Sequence, residues 1–259
     1  MNNIIIKFGG IFLKKQQFIN NFFSILNSNQ SVLKNKKIII IHGGGCLVDD
    51  LMNRLSIPIK KKEGIRITDE NNIDLITGVL SGTANKIILS QAKKNNINAV
   101  GLCLSDGDSV IIKKTTDVKL GYVGIPHPGN PFFLQLLCQN NLLPIINSIG
   151  ITKSGNIMNV NADLAATALA CSLNANLIFL SDVSAVLDGK GKRIKKINQK
   201  EIKNLIQQGI IQNGMIIKVQ AALNASIILK KSIEIASYND KNLDQLLFKN
   251  HSIGTTIIP

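Results

Sequence analysis

Short, almost uninterrupted apolar runs constrain this chain more than any other feature. They occur at 4–8, 37–41, 99–104, 143–149, 177–181 and 232–236, and the second reads KIIII. Runs of this length without alternating polar positions are strands buried on both faces. Between them the apolar residues change to a helical period. Stripes are formed by Phe18, Phe22, Phe23 and Leu26, by Leu47, Val48, Leu51 and Leu55, and by Ile73, Ile76, Leu80 and Ile87. Residues 162–173 are alanine-rich and 216–229 form a further helical stretch. Strands alternating with helices in this way predict an α/β fold with a central, mostly parallel sheet. Ligands of such sheets bind beyond the carboxyl ends of the strands.

A chain of 259 residues suits one large α/β domain or two tightly joined lobes. No low-complexity linker, repeat or charge block divides it. SDGDS at 105–109 and PHPGNP at 126–131 read as turns, and KGKRIKK at 190–196 as a basic loop or hairpin. Cys46, Cys103, Cys138 and Cys171 are far apart, as are His42, His127 and His251. That spacing argues against a disulfide framework or a bound structural metal, and suits a reducing, cytoplasmic setting. No apolar stretch approaches the roughly 18 residues of a membrane span, so no membrane partner is expected.

The net charge of +14 admits a nucleic-acid partner or an anionic small substrate. Lysine dominates, however, and the arginines are Arg54, Arg66 and Arg193. Lysine, isoleucine and asparagine share A/T-rich codons, so base composition accounts for the charge. Aromatic residues are 4% and do not interleave with basic ones, which argues against base stacking and a nucleic-acid partner.

The chemistry gathers where strands meet glycines. In IIIKFGG a strand delivers Lys7 beside Gly9 and Gly10. Alone this is either an edge lysine at a tight turn or a point charge on a phosphate, with amides beside it. IIIIHGGGC repeats the arrangement with Gly43, Gly44 and Gly45 at a helix start, where amides and the helix dipole favour anions. Neither a Walker A nor a G-x-G-x-x-G pattern is present there. His42 reads as a strand-end residue that shapes the turn, since no carboxylate orients it. Arg66, in EGIRITDE, is either a surface arginine or a fork for a carboxylate. Asn159, Asn161 and Asp163, in MNVNADLAATALA, are either a capping cluster or amide and carboxylate groups for a polar substrate. Asp182 ends a strand. Lys218 falls early in a helix, where a cation opposes the dipole and requires an anionic partner.

Taken in order, KFGG, HGGG, GIRIT, the DGD loop, NVNAD, LSDV, LDGKG and GMIIK resemble the amino acid kinase family along essentially the whole chain. Each segment is weak alone; the ordered set is specific. The G-x-R-x-T and N-V-N-A-D segments resemble the branch acting on N-acetyl-L-glutamate in arginine biosynthesis, with an acetylaminoadipate-phosphorylating sibling as the nearest alternative.

The resemblance implies a three-layer αβα sandwich spanning 1–259. A lobe at 1–175 would bind N-acetyl-L-glutamate and a lobe at 176–259 would bind ATP, which brings Mg²⁺. It implies that Lys7 and Lys218 flank the migrating phosphoryl group, that Asp163 holds both lysines, and that Gly10, Gly44 and Gly45 offer amides. Gly44 and Gly45 would also meet the substrate, Arg66 its α-carboxylate and Asn159 its backbone. Asp182, Val183, Ser184, Ala185, Val186, Leu187, Ile210, Ile211 and Gln212 would line the nucleotide pocket. Ala185 stands where relatives often carry glycine, and LNAN at 173–176 replaces a more usual Gly-Ala-acid pattern. The extra N-terminal helix of arginine-regulated hexamers has no counterpart ahead of the first strand, so the expectation is a homodimer insensitive to arginine.

Overall fold

The computed structural model describes residues 2–29, 31 and 36–259. Its first half runs β1 (Asn2–Phe8), α1 (Gln16–Ser28), β2 (Lys36–His42), α2 (Gly45–Arg54), β3 (Lys61–Lys62), β4 (Ile65–Arg66), α3 (Glu70–Thr77), α4 (Asn85–Lys94) and β5 (Ala99–Leu102). It continues through β6 (Val110–Lys114), β7 (Val123–Pro128), α5 (Phe132–Gln139), β8 (Leu143–Asn147), β9 (Ile149–Ile151), β10 (Ile157–Val160) and α6 (Ala162–Leu173). The remainder is β11 (Asn176–Ser181), β12 (Lys196–Ile197), α7 (Gln199–Gln207), α8 (Asn213–Leu229), β13 (Ile233–Ser237), α9 (Leu243–Lys249) and β14 (Thr255–Ile257). A π-helical stretch, Gly78–Ala84, joins α3 to α4.

An eight-stranded sheet in the order β12-β14-β13-β11-β1-β2-β8-β5 forms the centre. Its strands pair in parallel from β13 to β5, β14 runs antiparallel to β13, and β12 pairs in parallel with β14 at the edge. Alternate side chains of one strand enter opposite cores. Ile5, Ile39 and Ile41 join one core with α6 and α8, whereas Ile4, Ile6, Phe8, Ile38 and Ile40 join the other with α1, α4 and α9. Both faces are therefore covered, which is why these strands show no polar alternation. In the second core Phe8 stacks on Phe12 with ring centroids 4.0 Å apart and meets the edge of Phe22 at 4.9 Å. Truncating Phe22 to alanine there costs about 3–5 kcal/mol.

The third helical stripe and the PHPGNP turn differ from expectation. The stripe from Ile73 to Ile87 is one continuous helical path interrupted by the π-helical stretch rather than a uniform helix. PHPGNP does not begin as a turn: β7 runs on to Pro128, paired with β6 through Ile112↔Pro126 and Val110↔Pro128. Prolines two residues apart share one side of a strand, and β10 pairs with β7 only at Val123 and Gly124, so the missing donors cost no ladder bond. This second sheet, β6-β7-β10-β9, places Asn159 and leads into α6.

Candidate active site

The chain order creates a switch point at β1. It passes from β1 to β2 on one side and returns later to place β11 on the other. A crevice forms outside the carboxyl ends of strands at such a point. The ends of β11, β1 and β2 line it side by side, with Lys7 in register with both Phe179 and Ile41.

Lys7 has the parity of Ile5, so its side chain emerges on the face covered by α6 and α8. Its ammonium lies 2.7 Å from Asp163 Oδ1 and 5.7 Å from the centroid of the Phe179 ring. Asp163 is in the first turn of α6, where the Asn161 side chain caps the helix by accepting from the amides of Asp163 and Leu164. The Asn161 cap and the placement of Asp163 beside Lys7 are thus the same local structure. Lys218 lies in the second turn of α8, and its ammonium is 2.6 Å from Asp182 Oδ1. The anionic partner that its position demanded is Asp182. The expectation was that Asp163 holds both lysines; in this structure α6 brings Asp163 to Lys7, while the end of β11 brings a separate acid to Lys218. Partial burial raises the Asp182 carboxyl, but the hydrogen bond from Lys218 and its charge outweigh this and hold it below the ordinary range.

The two glycine turns adjoin. Gly9 N–H donates to Leu180 O at 2.9 Å, tying the first turn to β11, and the Cys46 thiol donates to Gly10 O at 2.9 Å, tying it to the second. Burial pushes the Cys46 thiol up, so it remains a protonated donor. A Cβ at Gly44 would lie 2.7 Å from Leu80 Cδ2 and 3.3 Å from Ala84 Cβ, so the π-helical stretch packs directly beneath this turn. Among the described residues, no backbone carbonyl accepts from the amides of Gly10, Gly44 or Gly45 outside regular elements. Free amides of this kind are an anion cradle.

His42 is fully buried under the second turn. Burial lowers its pKa, and the hydrogen bond to Gly43 only partly offsets this, leaving a value of about 4 and a neutral ring. It is a turn-shaping residue rather than an exposed acid or base.

Arg66 is not a surface arginine; it is 8% exposed. Its guanidinium donates to the Asp49 carboxylate and, at 3.2 Å, to Gly45 O. Lys61 reaches the other Asp49 oxygen at 2.9 Å. Partial burial raises the Asp49 carboxyl, and the hydrogen bonds from Arg66 and Lys61 more than reverse it, giving a net lowering. Thr68 is fully buried, donates to Arg66 O at 3.2 Å and accepts from Asn159 Nδ2 at 3.0 Å. It links the two expected substrate ligands. Thr68 is visible in the GIRIT stretch; Asp49 reads from sequence only as a carboxylate near a helix start, and Lys61 carries no signal beyond its charge.

These residues line contiguous hollows. One of about 210 Å³ is bounded by Gly44, Gly45, Arg66, Asn159 and Asp163. The next, of about 240 Å³, is bounded by Lys7, Gly10, Asp163, Asp182 and Lys218. The third, of about 660 Å³, is bounded by residues 182–187 and 210–212. Asp163 is shared by the first two and Asp182 by the last two. Ala185 is buried in the wall of the third. Another hollow, of about 310 Å³, opens at the amino ends of β2 and β8 beside Lys37 and Asn141, away from every one of these groups.

A sequence profile of the amino acid kinase family matches residues 2–237. The chain is 55% identical to a protein named acetylglutamate kinase from Buchnera aphidicola subsp. Schizaphis graminum, covering 100% of this chain and 99% of that one. It is 50% identical to one of the same name from Sodalis glossinidius, with all of both chains covered. A crystal structure from Streptococcus mutans superposes with a TM-score of 0.79 at 26% identity, covering 99% of this chain and 98% of that chain.

Proposed function

This chain belongs to the amino acid kinase family, and we propose that it transfers the γ-phosphoryl group of ATP to the side-chain carboxylate of N-acetyl-L-glutamate in arginine biosynthesis. The observation that carries the reading is the line of three hollows with a lysine–carboxylate pair at each junction. The names of full-length relatives at 50–55% identity support the substrate.

A carboxylate is already a nucleophile at neutral pH, so the reaction needs no general base. Its difficulty is electrostatic: two anions must meet, and charge spreads over the phosphoryl oxygens in the transition state. Lys7 and Lys218 flank the phosphoryl group, and the amides of Gly10, Gly44 and Gly45 donate to it. Asp163 fixes Lys7 and Asp182 fixes Lys218, so neither cation reorients during transfer. Arg66 grips the α-carboxylate, and Asn159, held at Nδ2 by Thr68, offers Oδ1 to the substrate amide. Gly44 and Gly45 bound the carboxylate to be phosphorylated.

Residues 182–187 and 210–212 hold the nucleotide, so residues 176–259 form the ATP lobe and 1–175 the acid lobe. Mg²⁺ enters on the ATP phosphates. Among the described residues, no three His, Cys, Asp or Glu side chains converge to hold a metal on their own. The protein acts in the cytoplasm, a setting supported by four free cysteines. It works as a homodimer, a reading supported by the exposed apolar side chains of Phe132 and Leu136 on α5.

The test is hydroxylamine trapping of the acyl phosphate with acetylglutamate, acetylaminoadipate and glutamate offered separately. Preferred trapping with acetylglutamate supports the proposal. Turnover only with another acid replaces the substrate, and no turnover with any removes the proposal.

A further inference from the structure

We infer that His42 is a positioning residue for phosphoryl transfer: its Nδ1–H locks the Gly43 carbonyl and thereby aims the Gly44 amide into the cavity. This rests on the reading above that Gly44 N–H meets the phosphoryl group.

Ile145 O, at the middle of β8, accepts from Asn85 Nδ2 at 2.9 Å. That contact requires the Asn85 amide to present nitrogen there, since oxygen would face oxygen. The same nitrogen lies 3.1 Å from His42 Nε2. An amide nitrogen only donates, so Nε2 is the acceptor and carries no proton. In a neutral imidazole the proton then sits on Nδ1. Nδ1 is 2.6 Å from Gly43 O, a contact that a protonated nitrogen satisfies and an unprotonated one cannot. Both ends of the chain of bonds agree on one tautomer.

The consequence lies in the next peptide unit. The carbonyl of Gly43 and the N–H of Gly44 belong to one planar trans group and point in opposite directions. His42 is fully buried and does not line the substrate hollow, whereas Gly43 and Gly44 do. Drawing the carbonyl toward the imidazole therefore turns the Gly44 N–H toward the hollow. On the other side of Gly44, its own carbonyl accepts from Leu47 N at 2.8 Å and Val48 N at 3.1 Å. Both flanking peptides are thus fixed. Without the His42 bond, the Gly43–Gly44 peptide between two glycines has little to stop it rotating, and a rotated unit would present oxygen to an anion.

Asn85 carries a structural sign of the same demand. Its Oδ1 is buried without a hydrogen-bond partner and faces Gly101, where any Cβ would collide with it. The amide is held in the orientation that serves Ile145 and His42 although its own oxygen is left unsatisfied.

The first test is ¹⁵N NMR of the His42 ring in the intact protein. A neutral ring protonated on Nδ1 at pH 7 is expected. A proton on Nε2, or on both nitrogens, overturns the inference. The second test compares two substitutions. His42→Asn keeps a donor where Nδ1 sits; His42→Gln keeps a polar group where Nε2 sits and loses the donor to Gly43.

His42→Gln is expected to lower kcat about 100-fold, with the KM of each substrate changed by less than about threefold, and His42→Asn to run at least about tenfold faster than His42→Gln. Equal kcat in the two folded variants overturns the inference, and if either fails to fold the tautomer decides. Wild-type turnover, measured in the same series, tests the reading beneath: its absence removes the kinase reading while the tautomer still reports on His42.

Discussion

Lys218 Nζ sits 2.6 Å from Asp182 Oδ1 and so has its own acid, separate from the Asp163 that holds Lys7. The two cations reach one hollow from different elements, α8 and β1, and each is paired with its own carboxylate. Lys7→Ala and Lys218→Ala should each lower kcat by about 10²–10³, the scale of losing one preorganised donor. In a double-mutant cycle Asp182→Asn should couple to Lys218→Ala and add independently to Lys7→Ala. Steady-state kinetics of the single and paired variants checks this; coupling of Asp182 to Lys7 instead would contradict the separate pairing.

Arg66 is buried and its planar fork is engaged by Asp49 and Gly45. Lysine cannot reproduce that geometry. Losing a charge-assisted contact to the substrate carboxylate is expected to raise the KM for acetylglutamate about 10–100-fold in Arg66→Lys. The KM for ATP should stay within about twofold, because the nucleotide hollow shares no wall with Arg66.

The Asp49 carboxyl has its pKa lowered in the folded protein by Arg66 and Lys61, against the opposing effect of burial. The unfolded chain, with a value near 3.9, then binds more protons than the folded one as the solution is acidified. The stabilisation is fully present above the unfolded pKa and is lost as pH falls through the lower folded value. Thermal unfolding of wild type and Asp49→Asn should differ by a constant amount from about pH 5 to pH 8, and the gap should shrink below about pH 4.

Gly44→Ala would drive its methyl against Leu80 and Ala84. Overpacking of this kind costs about 1–3 kcal/mol. A lower melting temperature is expected, together with a fall in kcat, and Leu80→Ala in the same chain should recover part of the melting temperature. Calorimetry of the single and double variants decides it.

The central strands could be read from the sequence because both of their faces are buried, which removes the polar alternation that a half-exposed strand keeps. The strand read at 143–149 divides in the structure into β8 and β9, since Asn147 turns its side chain to the carbonyl of Leu102 and the amide of Ile149. The second sheet was hidden: β6, β7 and β10 are short, and β7 carries two prolines that mimic a turn. Of the residues that line the first two hollows, Lys7, Lys218, Gly10, Gly44, Gly45, Arg66, Asn159 and Asp163 stand out in the sequence because each lies in a short ordered motif. The Asp182–Lys218 pairing was not, since it depends on how far α8 is rotated against the end of β11. Asn85 was invisible for a similar reason: a helical asparagine acquires meaning only from what packs against it.

The adjacency of β11, β1 and β2 makes the sheet a ruler for the candidate site. Asp182, Lys7 and the glycine turn at 43–45 sit at three neighbouring strand ends, so their separation is set by interstrand spacing of about 4.8 Å per step. Side-chain changes cannot alter that interval. A one-residue insertion within β1 would displace Lys7 by about 3.3 Å along the strand and turn it to the opposite face, away from Asp163. Tolerance of length change should therefore be lowest in the middle of the sheet and should return only in the loops outside it.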